Sequence, residues 1–89
     1  MEYEYKVMMM LDWSTVSTRV TIELDEHTGN LSPEAGLKAV EEADQIMKYD
    51  FATDEDVSVG ANDVEVYLVQ DNDEILLEEI ALPKLVLGK

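Results

Sequence analysis

The chain has no cysteine, so neither disulfides nor thiolate-bound metals can hold it together. A reducing compartment suits such a chain, and the cytoplasm is the expected location. Its single histidine, His27, stands in a His-Thr-Gly-Asn turn, where a solvated imidazole is expected rather than a catalytic base. The four glycines are scattered, which leaves no glycine-rich loop to cradle phosphate. No apolar run is long enough to cross a bilayer, and MEYEYK lacks the basic-then-apolar plan of a secretion signal. Ser14 and Ser17 have no base suggested beside them, and nothing predicts a pocket that would drive two carboxyl pKa values apart. A protein without enzymatic activity or cofactor is therefore expected.

Positive charge is also scarce. Six Lys and Arg face 21 Asp and Glu, giving a net charge of −15 and a pI near 4.1. The hydrophobic fraction of 46% is that of an ordinary globular domain, so the charge does not signal disorder. The 89 residues are expected to form one domain with a radius of gyration of roughly 12 Å and a diameter of about 30 Å. Duplex DNA carries one charge per ~1.7 Å of axis, so fifteen charges correspond to about 26 Å of duplex. The chain thus approaches DNA in charge per unit length. Such a surface repels phosphates and anionic lipids, which argues against direct nucleic-acid or membrane binding and for a basic protein partner.

The apolar residues are arranged for an α+β fold in the order β-β-α-β-β. Tyr3, Tyr5, Val7, Met9 and Leu11 share one strand face, and Val16, Thr18, Val20, Ile22 and Leu24 share another. A loop over Asp12 to Thr15 would set Leu11 against Val16, Val7 against Val20 and Tyr5 against Ile22. On the outer face it would oppose Glu4 to Glu23 and Glu2 to Asp25, which is destabilising for like charges. Ser32 is a good N-cap, Pro33 fits the first helical position, and a helix is expected to about Tyr49. Leu37, Val40, Ala43 and Met47, widened by Ala39 and Ile46, form its inward stripe, with Glu41, Glu42 and Asp44 opposite. Ala52 to Asp63 reads as an acidic loop with a short extended piece at Val57 to Val59. Val64 to Val69 reads as a strand, Asp71-Asn72-Asp73 as a turn, and Ile75 to Ile80 as its hairpin partner. The alternative for Ile75 to Ile80 is a helix, since Asp71 and Glu74 have capping-box spacing.

Two groups of acids are the candidate partner-binding residues. Glu2, Glu4, Glu23, Asp25 and Glu26 lie at one end of the first hairpin, and Asp71, Asp73, Glu74, Glu78 and Glu79 lie in the second. Glu65 is expected across from Glu78 or Glu79. A calcium loop is the competing chemistry. DEDVSVGANDVE places Asp54, Asp56, Ser58 and Glu65 at EF-hand spacing, but Val59 stands where the sharp-turn glycine belongs and a strand follows. No metal site is assigned on that basis. Trp13, in the first hairpin loop, either anchors a partner or folds back over the core edge. Met8, Met10, Tyr67, Val69, Leu76 and Ile80 put apolar surface on the nominally outer face, and the tail from Leu82 to Leu87 is apolar too. A homodimer through the sheet edge or the tail would cover both.

Three readings of the acidic surface follow: a charged solvated exterior, adaptation to high salt, or carboxylates standing in for phosphates. Cross-strand acidic pairs, acidic turns and small size favour the third. In size, charge, lack of cysteine and layout the chain resembles the small acidic DNA-mimic proteins of bacteriophages, above all those that inhibit the nucleoid protein HU. The resemblance implies a competitive inhibitor of a host DNA-binding protein, active in the host cytoplasm, with HU as the first partner to consider. Inhibitors of restriction enzymes, CRISPR effectors and DNA-repair enzymes share the description. The readings of another class are a small structural or assembly protein and a weak calcium-binding module.

Overall fold

Alternation of apolar and polar residues, broken at Met8 and Met10, makes the first two segments strands: β1 is Glu2–Met10 and β2 is Thr15–Glu23. The computed structural model describes residues 1–77 of the chain. In it a helix, α1, spans Pro33–Phe51, followed by a short 3-10 helix at Val57–Gly60 and by strands β3, Asp63–Gln70, and β4, Asp73–Leu76. The four strands form one antiparallel sheet in the order β2-β1-β3-β4, and α1 lies on one face, chiefly over β2 and β1. This is the α+β arrangement the sequence predicts. Glu78, Glu79, Ile80 and the segment from Leu82 to Leu87 lie outside the described residues. No helix among the described residues is long and apolar enough to cross a membrane.

The core is the meeting of one sheet face with one helix stripe. Tyr5, Val7, Met9, Leu24, Val66 and Leu68 are fully buried from the sheet side. Ala35, Ala39 and Ala43 recur every fourth residue on α1, all without exposed surface, so the helix backbone approaches the sheet closely. The Tyr5 hydroxyl donates to the Asn30 carbonyl at 2.7 Å, tying β1 to the segment that leads into α1. Burial pushes that phenol up to about 12, with Tyr3 adding a smaller like-charge contribution.

Local signals account for the ends of α1. The Ser32 hydroxyl accepts from the Ala35 amide at 3.2 Å, Pro33 occupies the first turn, and Glu34 adds a favourable charge there. At the other end Ala52 turns left-handed at φ 52°, and the Thr53 amide returns to the Lys48 carbonyl at 3.0 Å. The second hairpin closes on Asp71 and Asn72 at φ 53° and 69°, the conformation of a two-residue type I′ turn, with Gln70 paired to Asp73.

Three expectations are corrected. The first hairpin is shifted by two residues from the predicted register: Tyr5 faces Val20, Val7 faces Thr18, and Glu2, not Glu4, faces Glu23. The loop begins one residue early because the Leu11 amide closes on the Ser14 carbonyl at 2.8 Å. The apolar faces survive because strand side chains repeat every two residues. The predicted extended piece at Val57 to Val59 is a 3-10 turn instead. Asp44, expected on the solvent side of the helix, is only 5% exposed.

Candidate partner-binding surface

The pairing of β1 with β3 decides the map of the acids. Its last pair is Glu4 with Val69, so Glu2 and Asp71 lie two residues beyond it at the same end of the sheet. β2 also ends there, with Glu23 opposite Glu2, and Asp73 begins β4 beside them. The turn after β2 adds Asp25 and Glu26. Members of both predicted groups therefore converge on one rim, in which Glu2, Glu23, Asp25, Glu26, Asp71 and Asp73 are all exposed. Neighbouring strands are ~4.8 Å apart, so four strand ends span about 14 Å.

No described lysine or arginine is ion-paired with any of these six acids. Glu23 receives the N-terminal ammonium at 2.8 Å, and Glu26 has the His27 imidazole at 3.9 Å. Asp25 is engaged locally: its Oδ1 accepts from the His27 amide at 2.8 Å and from the Thr28 hydroxyl at 3.0 Å. These bonds, the His27 amide first, hold its carboxyl below the ordinary carboxylate range. Asp25 therefore stays ionised to lower pH than an ordinary aspartate.

The other predicted acids behave differently. Arg19 donates to Glu4 at 2.8 Å and lies 3.6 Å from Glu74, while Lys6 donates to Glu74 at 2.9 Å and sits 5.3 Å from the Tyr67 ring centroid. The helix-free face of the sheet thus carries a neutralised network, Glu4–Arg19–Glu74–Lys6, at its centre. Glu65 faces Met8, six residues along the chain from Asp71 and so ~20 Å from the rim. It accepts from the Tyr67 hydroxyl at 2.8 Å, which raises the Tyr67 pKa. Glu4, Glu65 and Glu74 are not part of the rim, and Glu78 and Glu79 lie outside the described residues. Met8, Met10, Tyr67 and Val69 on this face are half-buried, and Leu76 is exposed.

The EF-hand spacing does not become a site. Asp56 pairs with Lys48 at 2.9 Å, Ser58 bonds to Asp44, and Glu65 is on the sheet. Among the described residues, no three His, Asp or Glu side chains gather as a metal site. Trp13 is 71% exposed and meets Phe51 edge-on, at 6.1 Å between centroids and 71° between planes. It leans on the end of α1 and leaves most of its surface to solvent, at the end of the sheet away from the acidic rim.

Asp44 is the chemically notable residue that sequence reasoning misplaced. Its carboxylate accepts from the Ser58 amide at 2.9 Å and from the Ser58 hydroxyl at 2.6 Å. Burial holds its carboxyl above the ordinary range, against the opposing pull of those two bonds. The signal was present, since position 44 follows Val40 by four and precedes Met47 by three, inside the apolar stripe. No family model matches the chain, and no curated protein or solved structure is significantly similar to it.

Proposed function

We propose that this protein is an acidic decoy that occupies the DNA-binding surface of a basic protein and displaces the duplex from it. The observation that carries the reading is the rim, where two hairpins and the turn after β2 contribute six exposed carboxylates with no described lysine or arginine paired to them. The net charge of −15 over a longest dimension of 34 Å is one charge per ~2.3 Å, against ~1.7 Å for duplex. The carboxylates supply the charge a basic groove is built to meet, and the rigid sheet fixes their spacing at little entropic cost on binding. The protein has no reaction to perform in this reading. Nucleoid protein HU is the first partner to test.

The test is competition for labelled duplex bound to HU, read by fluorescence anisotropy. The intact chain is expected to displace DNA, with apparent potency falling as DNA concentration rises and as salt screens the attraction. Reversing Glu2 and Asp71 to lysine should weaken displacement at least tenfold. Reversing Asp54 and Glu55 near the opposite end, the same change in net charge, should weaken it less than threefold. Equal losses would mean that total charge alone matters and the rim does not. No displacement by the intact chain would end the proposal for this partner, and salt-independent displacement would end its electrostatic basis.

A further inference from the structure

The edge of the sheet at β2 is open in a way that can be assigned residue by residue. Met1 and Leu24 exchange both backbone bonds, at 2.8 and 2.9 Å, and Leu11 bonds to Ser14 at the other end of the same ladder. Hydrogen-bonded pairs alternate along an antiparallel ladder, so Val16, Thr18, Val20 and Ile22 turn their backbone groups toward β1. Thr15, Ser17, Arg19, Thr21 and Glu23 therefore turn theirs outward. Among the described residues no strand lies beyond β2.

Two of the usual protections of an edge, a proline and a bulge, are missing from β2, although it carries the charged residues Arg19 and Glu23. β2 contains no proline, its register runs unbroken from Glu23 to Thr15, and six of its nine residues are β-branched. Beside its last three residues, Thr21 to Glu23, a groove of about 430 Å³ separates the edge from the flank of α1. Glu23, Glu41 and Glu42 line that groove against a single cation, Lys38. A second copy pairing here would bring two such acidic flanks together and be repelled. An extended segment with lysine or arginine at alternate positions meets the same flank with opposite charge.

We infer that the β2 edge and its groove bind an extended basic segment as an added strand, with its cationic side chains turned toward Glu41 and Glu42. This deepens the decoy reading and rests on its premise that the partner is basic, but it assigns a surface separate from the rim. Main-chain bonds to the five outward residues would give the affinity, and the groove would select for basic side chains.

The probe is a capped nonapeptide of alternating lysine and valine, with a glutamate-for-lysine version as control. Amide exchange is followed residue by residue on the intact chain. The lysine peptide should slow exchange at least tenfold at Thr15, Ser17, Arg19, Thr21 and Glu23, without a matching change at the alternate residues. The glutamate peptide should do neither. Thr21→Pro removes no bond to β1, because that amide faces outward, and should cut peptide affinity at least tenfold while leaving the circular dichroism spectrum unchanged. Binding that leaves these five amides unprotected, or that survives Thr21→Pro, overturns the inference. So does protection already present in the free monomer, which means the chain covers its own edge. Protection that grows with protein concentration alone also overturns it and assigns the edge to a second copy. Duplex displacement by the rim variants is measured separately. An unoccupied edge with intact displacement sinks only this inference, and an occupied edge without displacement sinks only the decoy.

Discussion

Asp44 and Ser58 are joined twice, amide to Oδ1 at 2.9 Å and hydroxyl to Oδ2 at 2.6 Å, across the seam between α1 and the 3-10 turn. A buried carboxylate satisfied in this way anchors an otherwise polar segment, Ala52 to Asn62, against the helix. The same pair then brings the chain back to start β3.

This pair makes stability depend on pH with a definite sign. The folded Asp44 carboxyl keeps its proton to higher pH than in the unfolded chain, so its contribution is greatest below about pH 4 and declines as pH rises through the folded pKa. Asp44→Asn keeps an acceptor for the amide and a donor for the hydroxyl oxygen. It should flatten the decline above about pH 4 in urea titrations and be neutral or stabilising by ~1 kcal/mol at neutral pH. Asp44→Ala strands the Ser58 amide and hydroxyl and should cost about 2–3 kcal/mol. An asparagine variant with the pH dependence of the parent would refute the assignment.

Ala52 holds a left-handed conformation that glycine adopts without strain. Ala52→Gly is expected to stabilise the domain by ~0.5–1 kcal/mol, since the cap bonds of Ala52 and Thr53 to the helix remain. Thermal unfolding measures it, and a lower midpoint would contradict the cap geometry.

The type I′ turn gives a second backbone test. Asn72→Gly relieves a residue at φ 69° and should gain a few tenths of a kcal/mol, whereas Asn72→Val forces a β-branched residue there and should lose ~1–2 kcal/mol. Equal stability of the two variants would mean that the hairpin closes by another turn.

Trp13 reports on the end of the molecule away from the rim. Its exposure predicts red-shifted emission and efficient acrylamide quenching in the free protein, and Phe51→Ala should increase the quenching further. The edge-on pair contributes on the order of 0.5–1.5 kcal/mol beyond the area it buries, so Trp13→Ala should lose at least about that much. Unchanged quenching when a partner binds at the rim would agree with the distance between the two ends. A blue shift on binding would place Trp13 in the interface instead.

The chain's local chemistry determined which residues face inward. A period of two in the strands, apolar residues three and four apart in the helix, Ser32 with Pro33, and Asp71 with Asn72 all state their roles without reference to anything distant. The net charge is likewise a property of composition. Tertiary structure decided what those elements meet. A slip of two residues leaves every strand face unchanged, so periodicity could not tell Glu2 opposite Glu23 from Glu4 opposite Glu23, and the Leu11–Ser14 closure made the choice. Helical spacing already put Asp44 inside the stripe, but what lets a carboxylate stay there is Ser58, a partner fourteen residues away that no helical pattern contains. Arg19 reaches Glu74 and Glu2 comes to lie near Asp71 only because β1 pairs with β3 across an intervening helix. Periodicity records how a segment divides its own faces, whereas the neighbours of a strand are set by which sheet edges must meet for one helix to cover one core.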